Sequence, residues 1–166
     1  MYDNDFGGCS LYYQLLPVCC LPNLMSFYGA ESQHRACPHG WTHFKGRNFW
    51  QNGSSIYEIT LKDLFWDGLD WSSVLLEYCD TYFRTTKYGY YADNDFTPEL
   101  LPSDLDIFVV TEKGLVIIFS SYRVNGWADG PDMVLIPYNV IMKYIDPRGP
   151  LKEVPAVLGI LEKANL

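Results

Sequence analysis

The most strongly hydrophobic part of the chain extends from Asp106 to Tyr138 and contains three runs rich in Val, Ile and Phe. The runs cover residues 107–111, 115–120 and 133–137 and are predicted to be β-strands, because such residues favour strands. The middle run lacks polar alternation, which predicts a central strand covered on both faces. A tight hairpin turn is predicted between the first two runs, with Gly114 in a positive-φ conformation.

A helical pattern precedes these runs, at residues 71–83. Apolar residues recur there with the spacing of one helix face: Trp71, Val74, Leu75, Tyr78, Cys79, Tyr82 and Phe83. Asp70 is predicted to cap this helix, and Cys79 to be a buried thiol. Thr60 and Asp63 have the spacing of a capping box, which predicts a short helical turn through Phe65.

The remaining segments predict further strands and loops around this helix. Residues 11–28 are extended and apolar, and their two prolines favour an edge strand or a broken strand pair. A polar loop is predicted for residues 29–40, strands for 41–50 and 56–60 with an Asn52-Gly53 hairpin turn between them, and helices for 138–144 and 151–166. The pattern therefore predicts an α+β fold, with an antiparallel sheet and the amphipathic helix packed on one face.

The net charge of the chain limits the classes of partner that it is expected to bind. The 166 residues include 12 Lys and Arg against 20 Asp and Glu, for a formal net charge of −8. This balance argues against nucleic acid and anionic membrane surfaces, whereas it would attract a cationic partner. The favoured interpretation is that the acidic balance only keeps the chain soluble. No run of 18 apolar residues is present, so membrane insertion is not predicted. The start of the chain is acidic and Pro17 and Pro22 interrupt its apolar run, so no signal peptide is predicted.

A histidine and cysteine cluster is a weak metal-site candidate. It comprises His34, Cys37, His39 and His43. These are ligand types that hold Zn²⁺, but zinc sites usually draw on two separated elements and only one cluster is present. A polar loop with a structural histidine is therefore the favoured interpretation, and no metal is predicted.

Four carboxylates are candidates for a glycosidase pair: Asp63, Asp67, Asp70 and Asp129. Helix capping explains Asp63 and Asp70, and a turn explains Asp129. Neither a nucleophile elbow nor a phosphate-binding or dinucleotide fingerprint occurs. No catalytic residue and no cofactor is predicted.

Two polar, glycine-containing segments carry aromatic residues and are the predicted partner-binding surface. Their candidates are Tyr88, Tyr90, Tyr91, Phe96, Trp127 and Asp129. Exposed aromatic rings among acidic residues are typical of protein-binding surfaces. The alternative is that these rings cover the sheet and fill the core. The connection over residues 87–103 is long, and such loops are often functional.

A set of short motifs spans the helix start, the predicted hairpin and the segment after it. Its residues are Thr60, Leu61, Asp63, Leu64, Phe65, Thr111, Gly114, Leu115, Phe119, Tyr122, Val124, Ala128, Gly130, Pro131, Ile136, Pro137 and Tyr138. Together these motifs resemble the C-terminal lysozyme-binding domain of RsiV-type anti-sigma factors, a bacterial family largely of unknown function and sometimes labelled endo-xylanase-like. Gly29 and Ala30 with His34 resemble a further element of that family, with one glycine fewer.

The resemblance implies a domain organisation and a function. Residues 1–23 are expected to be part of an upstream strand segment, and residues 24–166 a single domain of the RsiV C-terminal type. Its implied role is non-enzymatic recognition outside the cytoplasm, with a cationic, lysozyme-like cell-wall hydrolase as the partner. A carbohydrate-active or carbohydrate-binding domain and a structural module are the alternatives.

Overall fold

The structure, a computed structural model, describes residues 10–34, 41–86, 99–124, 130–154, 157 and 159. Within these residues the strands form two antiparallel sheets, each with its strands in sequence order. The first sheet contains β1 (Ser10–Leu21), β2 (Leu24–His34), β3 (Trp41–Asn52) and β4 (Ser55–Glu58). The second contains β5 (Phe108–Val110), β6 (Gly114–Phe119) and β7 (Asp132–Pro137).

One long helix, α1 (Trp71–Thr86), packs against the second sheet. Leu75, Cys79 and Phe83 are fully buried on its inner face, and the Phe83 ring meets the Phe119 ring of β6 edge to face, with 5.0 Å between centroids. Burial raises the pKa of Cys79 to about 12, so this thiol stays protonated at neutral pH. The predicted α+β fold is confirmed, with β6 as the central strand of its sheet.

Short helical segments lie between β4 and β5 and after β7. They are 3₁₀ turns at Leu61–Leu64, Pro102–Leu105, Met142–Tyr144 and Pro150–Glu153, and a single α-helical turn at Tyr138–Ile141. The helix predicted for residues 138–144 is thus confirmed as an α-turn followed by a 3₁₀ turn. Most of the segment 151–166 lies outside the described residues. None of the helices that the structure describes has the length and apolar character to cross a membrane.

The two predicted helix starts are confirmed. The backbone N–H and the hydroxyl of Thr60 donate to the Asp63 carboxylate at 2.7 and 2.8 Å. Asp70 accepts the Ser73 backbone N–H at 3.2 Å at the start of α1. Hydrogen bonds from Ser73 lower the pKa of Asp70, as expected for a capping carboxylate.

The β5–β6 hairpin is confirmed, but the predicted role of Gly114 is wrong. Gly114 does not adopt a positive φ; instead, a Cβ at this position would lie 2.2 Å from the carbonyl oxygen of Ile136 in β7. Glycine is therefore required by the close approach of β7. The turn itself is closed by the Thr111 hydroxyl, which donates to the Gly114 carbonyl at 2.8 Å and accepts the Lys113 and Gly114 N–H groups at 3.2 Å.

The first sheet confirms one prediction and corrects two. The prolines do mark an edge: β1 is the outermost strand and has a β-bulge between Pro17 and Cys19. The loop prediction is wrong for residues 29–34, which continue β2 because they pair with β1 on one side and β3 on the other. The β3–β4 turn falls on Gly53 and Ser54, since Asn52 already pairs with Ser55.

The two sheets meet where the outer edge of β5 lies on the first sheet. The Val110 N–H donates to the Ser26 hydroxyl at 2.9 Å and to the Asn48 side-chain carbonyl at 3.1 Å. The Asn48 side-chain amide donates to the Phe108 carbonyl at 3.0 Å. Ser26 and Asn48 face each other across β2 and β3, are 0% and 1% exposed, and also hydrogen-bond to each other.

This joint, formed by the hydrogen bonds of Ser26 and Asn48 to β5, offsets the free-energy cost of burying the outer edge of β5. A buried backbone N–H or C=O without a partner costs about 1–3 kcal/mol, and β5 turns both kinds of group away from β6. Gly46 of β3 allows the approach, because a Cβ there would lie 1.9 Å from the Phe108 carbonyl oxygen. The side chains of the first sheet therefore replace the missing ladder partner of β5.

We expect Ser26→Ala to lower the free energy of unfolding by about 1–2 kcal/mol and Asn48→Ala by about 2–3 kcal/mol, because each leaves buried backbone groups of β5 short of a partner. Urea unfolding followed by circular dichroism measures both. Ser32→Ala is the matched control: Ser32 lies on the same face of β2 but bonds Thr42 in an exposed region. Equal losses for Ser26→Ala and Ser32→Ala would contradict the role of the joint.

Candidate partner-binding site

The six residues predicted to bind a partner lie outside the described residues, in segments 87–98 and 125–129. The residues that flank these segments are described. Segment 87–98 follows α1 and ends before Glu99, and segment 125–129 runs from Val124 to Gly130. The flanking residues therefore show where each segment leaves the fold and returns to it.

The described flanks of both segments lie near one end of β6. The Arg123 guanidinium donates from Nη2 to the Glu99 carbonyl at 2.5 Å, which joins the end of the first segment to the start of the second. Phe83, near the end of α1, contacts Phe119, the last residue of β6. Phe119 pairs in register with Asp132, just after segment 125–129. We call Phe83, Glu99, Asp104, Phe119 and Arg123 the loop base.

A charged pair holds the loop base together. Arg123 forms a two-pronged interaction with the Asp104 carboxylate, which also accepts the Leu101 N–H at 2.6 Å. The two charged side chains are 27% and 10% exposed, so solvent screens this pair less than a surface ion pair. Burial alone raises the pKa of Asp104, but hydrogen bonds from Arg123 and Leu101 and the charge of Arg123 outweigh it and lower that pKa.

Two further surface residues at the loop base were missed from the sequence. Tyr122 is 71% exposed and has a φ of +70°, which is unfavourable for a non-glycine residue. It occupies the third position of a turn closed by the Arg123 N–H and the Ser120 carbonyl at 3.0 Å, where type II turns favour glycine. Leu101 is 49% exposed. Tyr122 stands where such a turn favours glycine, so turn chemistry did not predict the turn; the motif resemblance included Tyr122 but gave it no binding role.

The histidine cluster is only partly described. His34 ends β2 and His43 lies in β3, opposite Glu31, while Cys37 and His39 lie outside the described residues. His34 and His43 occupy neighbouring strands about three residues apart along the sheet, a backbone separation of roughly 10 Å. Among the residues that the structure describes, no group of three or more His, Cys, Asp or Glu is arranged to hold a metal.

Three of the four carboxylates considered for a glycosidase lie within the described residues. Asp63 and Asp70 serve as helix caps, Asp67 lies in an exposed turn, and Asp129 lies outside the described residues. A cleft of about 570 Å³ brings Asp63 together with two further carboxylates near aromatic rings. Its walls include Trp50, Tyr57, Glu58, Asp63, Asp146 and Arg148.

The carboxylates of this cleft have structural partners. Glu58 accepts two hydrogen bonds from Arg47 at 2.8 and 2.9 Å, and Asp146 accepts two from the Arg148 side chain at 3.1 and 3.0 Å. These bonds lower the pKa of both carboxyl groups. A glycosidase needs a general acid whose pKa is raised, so neither Glu58 nor Asp146 is suited to that role.

Within the described residues, the fold is an α+β domain of two antiparallel sheets, and the flanks of the two aromatic-rich segments are joined near one end of β6. A family model described as a protein of unknown function, DUF3298, matches residues 62–139. The match includes α1, the whole second sheet and the loop base. A comparison with curated proteins gives no match.

Two crystal structures of DUF3298 proteins are similar in fold. One, from Pseudomonas aeruginosa PAO1, has a TM-score of 0.68 and 14% sequence identity over 84% of this chain and 63% of its own. The other, from Bacteroides fragilis NCTC 9343, has a TM-score of 0.67 and 14% identity over 93% of this chain and 60% of its own. The chain thus spans about three fifths of each relative, and the likeness establishes the fold.

We expect Asp104→Asn to lower the free energy of unfolding by about 1–3 kcal/mol at pH 7, because it removes a charge-assisted pair. Since the pKa of Asp104 is lowered by folding, its stabilisation is present above its ordinary value of 3.8 and is lost as the pH falls through the folded-state pKa. The difference between wild type and Asp104→Asn should therefore shrink below pH 3.8. Urea unfolding between pH 7 and 3 measures it.

Asp80→Asn provides the control for this prediction. Asp80 pairs with Arg84 one helical turn away on α1, and these side chains are 37% and 51% exposed. An exposed pair of this kind contributes little, about 0.3–0.5 kcal/mol. A difference for Asp104→Asn that persists undiminished at pH 3, or one no larger than that of Asp80→Asn, would contradict the prediction.

Proposed function

We propose that this chain is a non-enzymatic recognition domain that acts outside the cytoplasm and binds a cationic protein of the lysozyme type through segments 87–98 and 125–129. The hydrogen bond between Arg123 and Glu99 carries the proposal, because it ties the flanks of these two segments together. Two aromatic-rich segments that leave the fold side by side can form a single binding surface.

Charge supports a cationic partner. Acidic residues in the two segments are Asp93, Asp95 and Asp129, and Glu99 directly follows the first segment. The chain as a whole has a formal net charge of −8. A negative surface attracts a basic protein over a Debye length and raises its association rate, whereas it repels anionic polymers.

Two exposed residues beside the loop base support a protein interface. Tyr122 and Leu101 present apolar area beside the Arg123–Asp104 pair. Tyrosine and tryptophan anchors dominate binding energy in such interfaces, which gives Trp127 and the tyrosines of segment 87–98 their proposed role. Backbone strain at Tyr122 also fits a binding role, since strained residues concentrate at functional sites.

The resemblance of motifs to RsiV-type domains narrows the cationic partner to a lysozyme-like hydrolase. The motif residues include Gly114 and Phe119, the two ends of β6. They also include Tyr122 before segment 125–129 and Gly130 and Pro131 after it. Lysozymes act on cell walls, so this partner also supports an extracytoplasmic location. The cleft lined by Trp50 does not support the proposal, because its carboxylates Glu58 and Asp146 are held in pairs with Arg47 and Arg148.

Calorimetric titration with a C-type lysozyme tests this function, with muramidase activity followed in parallel. We expect binding and inhibition at about 50 mM salt and clearly weaker binding at about 300 mM, because the Debye length falls from roughly 14 to 6 Å. Trp127→Ala should weaken binding at least about tenfold if Trp127 is an anchor. Absence of binding at the lower salt concentration would overturn the proposed partner.

Two charge variants locate the electrostatic contribution. Asp129→Asn and Glu77→Gln each remove one negative charge. Glu77 is an exposed residue of α1, whereas Asp129 lies in segment 125–129. If the segments form the surface, Asp129→Asn should weaken binding more than Glu77→Gln. Equal effects would show that the net charge alone attracts lysozyme.

Tyr122→Gly separates binding from stability. Glycine relieves the positive φ, so the free energy of unfolding should stay within about 1 kcal/mol of wild type or rise. Lysozyme binding should fall, because 71% of the Tyr122 surface is exposed for contact in the free protein. Urea unfolding and calorimetry of the same variant measure both. Unchanged affinity would remove Tyr122 from the proposed surface.

A further inference from the structure

The outer edge of β1 has no strand partner within the described residues, although β1 is one of the longest strands of the fold. The edge presents every second N–H and C=O of its backbone to solvent. Pro17 and the bulge that follows it interrupt the second half of β1. Residues 10–16 therefore form a continuous edge of roughly 23 Å.

Large apolar side chains cover both faces of this edge. Leu11, Tyr12 and Tyr13 are 65%, 66% and 54% exposed, and Leu15 and Leu16 are 39% and 45% exposed. Successive strand residues point to opposite faces, so Leu11, Tyr13 and Leu15 lie on one face and Tyr12 and Leu16 on the other. A stable monomer seldom exposes so much apolar surface on one strand.

The edge also lacks the charges that normally protect a free strand. β1 has no Asp, Glu, Lys, Arg or His from Ser10 to Leu21, in a chain that carries 32 Lys, Arg, Asp and Glu. Edge strands usually avoid pairing through charged residues or short length. The opposite edge of the sheet shows both devices: β4 has four residues and ends at Glu58, which pairs with Arg47.

We propose that β1 pairs with β1 of a second copy of this chain, so that two four-stranded sheets continue into one antiparallel sheet across a two-fold axis. An uncharged strand meets its own copy without repulsion, while the rest of a chain with a net charge of −8 repels a copy. This neutral edge offers a cationic partner no electrostatic attraction. Centred on Tyr13, the pair places Leu11 opposite Leu15 and Tyr12 opposite Gln14.

The available area matches a modest dimer. With roughly 200 Å² for a large side chain, the exposed fractions of Leu11, Tyr12, Tyr13, Leu15 and Leu16 amount to at most about 540 Å² per copy. Two copies thus offer at most about 1,100 Å² in total, close to the roughly 1,000 Å² that a specific interface needs. Backbone hydrogen bonds between the paired edges add to this apolar contact.

Sedimentation equilibrium of the full chain tests the dimer. At roughly 100 µM, where a dimer with micromolar Kd is almost complete, we expect about 38 kDa, twice the chain mass of 19.1 kDa. Leu11→Lys should raise the dimer Kd at least about tenfold, since a two-fold interface includes each substitution twice. A monomeric wild type at this concentration would overturn the proposal.

Ile56→Lys is the matched control. Ile56 lies on β4 at the opposite edge of the same sheet and is 65% exposed, the same fraction as Leu11. It should leave the dimer Kd unchanged, and circular dichroism should show both variants folded. Equal loss of the dimer in both variants would overturn pairing through β1.

Salt separates this dimer from the proposed lysozyme binding. Higher salt screens the repulsion between two acidic copies, so the dimer should persist or tighten, whereas lysozyme binding should weaken. Leu11→Lys should also bind lysozyme as wild type does if the two surfaces are independent. A dimer that dissociates as salt rises would contradict pairing through a neutral strand.

Discussion

The buried contact between β5 and the first sheet is the constraint on which the rest of the structure depends. β5 has only three residues and a neighbour on one side, so its outer N–H and C=O groups need partners elsewhere. Ser26 and Asn48 supply them from β2 and β3, and Gly46 leaves room for the Phe108 carbonyl. Because these bonds are directional and buried, they set the position of one sheet on the other.

The position of the second sheet in turn determines where the proposed partner-binding segments begin and end. β6 is central, α1 packs on its last residue through Phe83 and Phe119, and Arg123 secures Glu99 just beyond. Tyr122, with its positive φ, lies next to Arg123 in this packed and hydrogen-bonded region. A recognition surface on connecting segments benefits from such anchoring, since otherwise the entropy of ordering the segments on binding reduces affinity.

The two proposed surfaces differ in chemistry. The partner-binding segments and their flanks are acidic and rich in tyrosine, which suits a basic protein. The β1 edge is neutral and apolar on both faces, which suits a second copy of the same strand. One acidic chain can thus use electrostatic attraction for one partner and neutral strand pairing for another, with opposite responses to salt.

Local chemistry allowed the sequence to determine the strands of the second sheet, the inner face of α1 and the caps at Thr60 and Asp70, because each depends on residues within a few positions of one another. Tertiary structure decided the rest. Ser26 meets Val110 across 84 residues, and Gly114 is needed for its approach to Ile136 and not for its φ. Likewise, residues 29–34 form a strand because they pair with β1 and β3. Glu99 and Arg123 are brought together only by the fold. Pairings between distant segments leave no periodic pattern, so no local signal announces them.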